Sequence, residues 1–139
     1  NGSLFFSIEI QDVRSHLNLG NVYVRMNKTE EAENSYRKAT KLMEEATKSS
    51  DQISPLHLTA SLRLAELLSK DPQKVKEADQ LHERILILKN DYLPAFESWS
   101  KVMLSWNRHR EAAVMLAKAL EYEPSDPDVL YNVSLFKSF

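Results

Sequence analysis

The sequence predicts an all-α fold, a right-handed solenoid of antiparallel helix pairs with about three full repeats and a partial repeat at each end. One pattern of small and apolar residues occurs three times and begins a fourth time, at a period of roughly 34 residues. Its apolar positions recur every three or four residues, which is the spacing of one helical face, and no strand-like alternation competes with it. Because one such repeat cannot bury its apolar face alone, successive repeats must stack on each other.

The first and third copies of the pattern are the clearest. The first copy consists of His16, Leu19, Gly20, Tyr23, Glu31, Ala32, Tyr36 and Ala39. The third copy consists of Phe96, Trp99, Ser100, Met103, Glu111, Ala112, Leu116, Ala119 and Pro124. The second copy is looser and carries Ala65 and His82 where the first carries Gly20 and Tyr36. We expect the small residue of each first helix to let the second helix approach closely.

Turn and capping residues mark the ends of the helices. The first helix is predicted over residues 12–25, and the second runs to about Ala46, after a turn at Asn27, Lys28 and Thr29 that offers capping oxygens. Ser54 and Pro55 begin the second pair, because proline is well tolerated in the first helical turn. The later boundaries are Lys70-Asp71-Pro72, Tyr92-Leu93-Pro94, Trp106-Asn107 and Pro124-Ser125-Asp126-Pro127.

The repeat pattern and these helix boundaries predict that residues 1–139 form a single solenoid segment. Gly20 and Ala65 share a repeat position but lie 45 residues apart, which is about eleven more than one repeat and requires a spacer. Leu4 to Ile10 is interpreted as the tail of an earlier repeat, and the chain is expected to be an excised segment. The predicted units are a partial repeat 1–11, a repeat 12–46, a spacer 47–53, repeats 54–90 and 91–125, and a partial repeat 126–139.

Composition narrows the possible functions. The formal net charge is −2 and both signs are evenly scattered, which argues against a nucleic-acid partner. No run approaches the ~18 apolar residues of a membrane span, so we expect no membrane insertion by this segment. Cysteine is absent, which excludes disulfides and thiolate metal sites but fits either a reducing or an oxidising compartment.

Residue patterns for catalysis are missing as well. None of the four histidines has the spacing of a metal-binding pair, and two glycines cannot form a phosphate-binding loop. The carboxylates of Glu30, Glu31 and Glu33 are interpreted as part of a solvated helix face. The sequence therefore predicts no catalytic residue, no metal site and no cofactor.

A peptide-binding groove is the functional site that the sequence favours. The first helix of each pair lines the concave surface of such a solenoid, and its amide and cationic side chains can satisfy the carbonyls of an extended peptide. The predicted groove residues are Arg14, Asn18, Asn21, Arg25, Arg63 and Lys101. Capture of a partner's C-terminal carboxylate is an alternative, although Glu66 and Glu97 bring the wrong charge, and an ordinary solvated surface is another.

The recurring residues resemble those of the tetratricopeptide repeat (TPR), most closely in HLNLGNVYVRMNKTEEAENSYRKATKL and REAAVMLAKALEYEPSDPDVLYN. The order of a regular repeat, a long spacer and a repeat with one extra turn residue also resembles the luminal repeats of transmembrane and TPR repeat-containing O-mannosyltransferases. That resemblance implies a parent anchored in the endoplasmic reticulum membrane. Its upstream catalytic part would transfer mannose from dolichyl-phosphate mannose to Ser or Thr of cadherin-type proteins.

Three functional hypotheses remain open. The resemblance to the O-mannosyltransferases favours a non-catalytic scaffold in the lumen of the endoplasmic reticulum that recognises protein acceptors. A cytosolic adaptor or co-chaperone module that binds a partner's tail is the alternative, and a purely architectural repeat that mediates assembly is the third. Three glycosylation sequons begin at Asn1, Asn27 and Asn132. Of these, Asn27 is predicted to carry a glycan, because it lies in an exposed turn between helices.

Overall fold

The computed structural model describes residues 2–48 and 54–138, with side chains from Ile10 onwards except that of Phe136. Over these ranges the chain forms seven α-helices and no strand, which confirms the all-α prediction. The helices are α1 (Gly2–Arg25), α2 (Thr29–Thr47), α3 (Pro55–Leu68), α4 (Val75–Leu88), α5 (Leu93–Ser105), α6 (His109–Tyr122) and α7 (Pro127–Lys137).

The helix α1 is longer than predicted. We expected one helix to end near Ile10 and another to begin at residue 12, but Gly2–Arg25 is continuous, so that expectation is wrong. Neither proline nor glycine occurs between Ser3 and Leu19, so nothing in this stretch interrupts the helical hydrogen bonds. Most of the predicted spacer, residues 49–53, lies outside the described residues, and its first residue, Thr47, is the last residue of α2.

The chain divides into two compact units, residues 1–78 and residues 79–139. Unit 1 contains α1, α2, α3 and the beginning of α4, whereas unit 2 contains the remainder of α4 with α5, α6 and α7.

Close approach of α1 and α2 organises the core of unit 1. A Cβ atom added to Gly20 would lie 2.4 Å from Cε1 of Tyr36, so the aromatic ring occupies the space that any larger residue would need. Ala32 and Ala39, which flank Tyr36 on α2, are fully buried. The expected close packing at Gly20 is confirmed.

Among the described residues of unit 2, the buried apolar side chains form two clusters. Ala112 packs with Met103 and Leu104. Ala119 packs instead with Phe96 and Val129. The repeat pattern predicts that Trp99, Ala112, Leu116 and Ala119 are buried together. Trp99 is instead half-buried beside the first cluster, because its indole reaches a polar partner described below.

The turns after α1 and α5 share one geometry. Asn27 and Asn107 adopt the left-handed conformation, with φ of 59° and 60°. The next amides, of Lys28 and Arg108, donate to carbonyls five residues back at 2.9 and 2.8 Å, which is the Schellman arrangement. Lys28 is then the N-cap of α2 and makes no side-chain capping bond, so the expected capping oxygen is not used.

Candidate functional site

An open groove in unit 1 is built from the first helices that we expected to line a binding surface. Its volume is about 340 Å³. The lining residues are Asn21, Val24 and Arg25 of α1, Tyr36 of α2, Arg63, Glu66 and Leu67 of α3, and Lys70 just beyond α3. These side chains offer hydrogen-bond donors and charge above a partly apolar floor.

Three of the six predicted groove residues, Asn21, Arg25 and Arg63, therefore meet in one place. Arg14 and Asn18 are exposed on α1 but do not line this groove. Lys101 is exposed on α5, in unit 2. Tyr36, which the repeat pattern places on the second helix of the first pair, also lines the groove.

A hydrogen bond fixes the floor of the groove. The Tyr36 hydroxyl donates to Oδ1 of Asn21 at 2.6 Å. Burial raises the pKa of Tyr36, so the hydroxyl keeps its proton and remains a donor. Because Oδ1 of Asn21 accepts this bond, the amide nitrogen of Asn21 is the atom that can donate to a ligand.

Cationic side chains outnumber anionic ones in the lining. Arg63 Nη1 contacts Glu66 Oε2 at 3.1 Å, one helical turn along α3. Within the described part of the chain, Arg25 and Lys70 have no carboxylate partner. The groove thus carries three cations and one carboxylate that is already paired.

A second charged network in unit 1 was not foreseen. Arg37 contacts both carboxylate oxygens of Glu77 at 2.8 and 2.9 Å and also contacts Glu33 at 3.0 Å. Lys74 Nζ lies 2.7 Å from Glu33. Burial alone would raise the pKa of Glu33, but hydrogen bonds from Lys74 and Arg37 outweigh it and lower that pKa. Glu33 is therefore a structural ion-pair partner, and its assignment to a solvated face is wrong.

Unit 2 contains a polar network centred on Asp79. Its Oδ1 accepts from Trp99 Nε1 at 2.8 Å and from Arg108 Nη1 at 2.9 Å. His82 is fully buried, stacks on Trp99 with ring centroids 5.6 Å apart, and has its Nε2 2.9 Å from Ser98 Oγ. These contacts connect α4, α5 and the start of α6, and they hold Trp99 at the edge of the core.

Three carboxyl groups meet where α5 and α7 pack together. The oxygens of Glu97, Asp126 and Asp128 lie within 4.8 Å of one another. Asp126 Oδ1 caps α7 by accepting from the amides of Asp128 at 2.9 Å and Val129 at 3.1 Å. Burial, together with the neighbouring Asp126 and Asp128, raises the pKa of Glu97 to about 7. Two features explain this cluster: Asp126 caps α7, and Glu97 retains a proton.

The raised pKa of Glu97 predicts a pH-dependent stability. The folded value of about 7 lies above the ordinary 4.5, so the contribution of protonated Glu97 is complete below pH 4.5 and is lost as the pH rises through about 7. We expect the thermal midpoint of the wild type to fall between pH 5 and pH 8 by more than that of Glu97→Gln. Circular dichroism melts test this, with Glu121→Gln on exposed α6 surface as the control, and equal pH dependence in wild type and Glu97→Gln would contradict the assignment.

Asn132 has a structural role, although it shares a repeat position with Asn18. It is buried, and its Nδ2 donates to the Glu97 carbonyl at 3.0 Å and to Ser100 Oγ at 3.3 Å. Its amide is therefore unavailable to a peptide or to a glycan in the folded chain.

Comparison with known proteins identifies the repeats. The profile of the tetratricopeptide repeat matches residues 13–45. The TPR domain of Arabidopsis OM64 has a TM-score of 0.70 and 17% identity, covering 94% of this chain and 98% of that domain. The chain is built of tetratricopeptide repeats. The C-terminal TPR-containing domain of a Plasmodium falciparum FK506-binding protein also matches this TPR fold, with a TM-score of 0.60 and 16% identity over 96% of this chain and 91% of that one.

The TPR chain is also similar in sequence to O-mannosyltransferases. It is 31% identical over 131 residues to human protein O-mannosyl-transferase TMTC3 and 30% identical to the mouse protein, covering 92% of this chain. The Drosophila protein is 28% identical over 104 residues. The chain spans 14% of the length of the human relative. The resemblance drawn from the sequence is thus confirmed. None of the helices within residues 2–48 and 54–138 combines the length and apolar character needed to cross a bilayer.

Proposed function

We propose that this chain is a non-catalytic TPR scaffold belonging to an O-mannosyltransferase of the endoplasmic reticulum membrane, and that it faces the lumen and holds extended protein acceptors. The observation that carries the proposal is the 31% identity to protein O-mannosyl-transferase TMTC3 over 92% of this chain. The groove in unit 1 supplies the site, because it presents amide, guanidinium and ammonium donors beside apolar side chains.

Docking would assist transfer by raising the local concentration of acceptor. A peptide held by the scaffold samples a distant catalytic part far more often than a free peptide does, and this needs no chemistry from the scaffold itself. Cadherin-type proteins are the acceptors that the family resemblance implies. Arg14 and Asn18 on α1 and Lys101 on α5 are proposed as further contacts of a long acceptor.

Acceptor modification by the full-length protein tests this role. We expect the combined change Asn18→Ala, Arg25→Ala, Arg63→Ala to reduce mannosylation of protein acceptors severalfold or more, since each lost hydrogen bond costs on the order of 1 kcal/mol. Affinity for the sugar donor should not change. Asn21 is left intact because its Oδ1 satisfies the buried Tyr36 hydroxyl. The measurement is mass spectrometry of mannosylated peptides.

The matched control is Asn34→Ala, Lys38→Ala, Lys41→Ala, which removes one amide and two cations from exposed positions of α2. It should modify acceptors as the wild type does. Unchanged modification in the variant that combines Asn18→Ala with the two groove substitutions, with its fold intact by circular dichroism, would show that neither the groove nor Asn18 docks the acceptor.

Glycosylation at Asn27 tests the luminal placement. Asn27 is exposed in the turn between α1 and α2, and we propose that it carries an N-linked glycan. A substitution of Asn27 itself would also disturb the turn, because the left-handed backbone at this position favours Asn. Thr29→Ala is therefore used, since it removes the sequon and keeps Asn27. We expect the Thr29→Ala variant of the full-length protein to carry one glycan fewer than the wild type, as measured by a mobility or mass shift. A naturally unmodified Asn27 would favour the cytosolic adaptor instead.

A further inference from the structure

The groove in unit 1 has a charge pattern that the general peptide-binding role does not require. Arg25, Arg63 and Lys70 line it, while Glu66 is its single carboxylate and is paired with Arg63 at 3.1 Å. Arg25 and Lys70 are exposed, and neither has an acidic partner among the residues that the structure describes. A neutral peptide would leave these two charges uncompensated.

The hydrogen-bonding groups of the lining also favour an anionic ligand. The Asn21 carbonyl oxygen accepts from the Tyr36 hydroxyl at 2.6 Å, so Asn21 offers its amide N–H groups to a ligand. Guanidinium and ammonium groups are donors without acceptor atoms. The groove is therefore rich in donors and poor in free acceptors, which matches a carboxylate better than a backbone amide that presents one of each.

Apolar side chains stand beside this charged region. Val24 of α1 is half-buried and Leu67 of α3 is buried, and both line the groove. The methylene groups of an Asp or Glu side chain can contact such surface while the carboxylate reaches the cations.

We propose that the unit 1 groove selects an Asp or Glu side chain within an extended acceptor segment, with Arg25 and Lys70 binding its carboxylate. This inference rests on the proposed function and adds a sequence preference to it. A side chain, rather than a chain terminus, is the expected source of the carboxylate, because a protein-modifying enzyme must hold acceptors at internal positions.

Peptide binding by the 139-residue chain tests the inference. The probes are an acetylated and amidated nonapeptide of Thr, Pro and Val with a central Glu, the same peptide with a central Gln, and the Gln peptide with a free C-terminal carboxylate. Fluorescence anisotropy should show the Glu peptide binding roughly threefold to tenfold more tightly than the amidated Gln peptide. That preference should shrink as salt rises, since the groove is open to solvent.

Two variants locate the effect. Arg25→Gln, Lys70→Gln should bind both amidated peptides alike, whereas Lys38→Gln, Lys41→Gln on α2 should keep the preference for Glu. All four positions are exposed, so both variants are expected to fold, which circular dichroism checks.

The outcomes separate the inference from the proposed function. Equal binding of the Glu and Gln peptides by the wild type would overturn the acidic preference while leaving a peptide-binding groove. Tightest binding of the free C-terminal carboxylate would overturn it in favour of terminal capture. A preference for Glu that survives in Arg25→Gln, Lys70→Gln would also overturn it. Failure of every peptide to bind would overturn both proposals.

Discussion

An Ala112→Glu variant is expected to lose on the order of 3–5 kcal/mol of stability, enough to unfold much of unit 2 at physiological temperature. Ala112 is fully buried against Met103 and Leu104, with Trp99, Met115 and Leu135 around it. Apolar groups dominate these surroundings, so the new carboxylate would be desolvated without a cationic partner. Urea unfolding followed by circular dichroism measures the change.

Ala117→Glu is the matched control. Position 117 is exposed on the same helix, α6, so the substitution adds the same charge without burying it. We expect its stability to stay within about 0.5 kcal/mol of the wild type. Comparable losses in Ala112→Glu and Ala117→Glu would contradict the assigned face of α6.

A Gly20→Ala variant is expected to lose about 1–3 kcal/mol through overpacking, even though alanine favours helices more than glycine does. The added Cβ would lie 2.4 Å from the Tyr36 ring, far inside van der Waals contact. The third repeat carries Ser100 and Leu116 at the equivalent positions, where a smaller side chain on the second helix accompanies a larger one on the first. We therefore expect the stability effects of substitutions at positions 20 and 36 to be coupled.

A double-mutant cycle measures this coupling. Tyr36→Leu makes room on α2, and in that background Gly20→Ala should cost nothing or stabilise the chain by up to about 1 kcal/mol. Tyr36→Leu itself should be destabilising because it removes the hydrogen bond to Asn21. The same cost of Gly20→Ala in both backgrounds would show that the Tyr36 ring is not what excludes a side chain at position 20.

Periodicity was sufficient to predict the helical fold and part of the groove. A repeat places equivalent positions of its first helices on one face, which is why Asn21, Arg25 and Arg63 could be named from the sequence. Gly20 could be assigned to close packing for the same reason. Ser54 was predicted as a cap and does accept from the Leu56 amide at 3.2 Å.

Long-range polar pairs could not be predicted in this way. Arg37 and Glu77 lie 40 residues apart in sequence, and Asp79 and Arg108 lie 29 apart, so neither pair has a local signature. A repeat position alone also does not fix the role of a polar side chain, as Asn132 shows. It shares a repeat position with exposed Asn18, yet its amide is consumed by the Glu97 carbonyl and Ser100.

The function proposed for this chain requires that the groove of unit 1 receive an extended acceptor peptide. Nuclear magnetic resonance of the isotope-labelled chain, titrated with an amidated Ser- and Thr-containing peptide from a cadherin-type protein, tests it most directly. We expect the largest shift changes at the side-chain amide of Asn21 and the guanidinium groups of Arg25 and Arg63, with Lys38 on α2 unaffected. Shift changes confined to α2, α4 and α6, the second helices of the pairs, would contradict peptide binding in the groove, as would the absence of shift changes at saturating peptide.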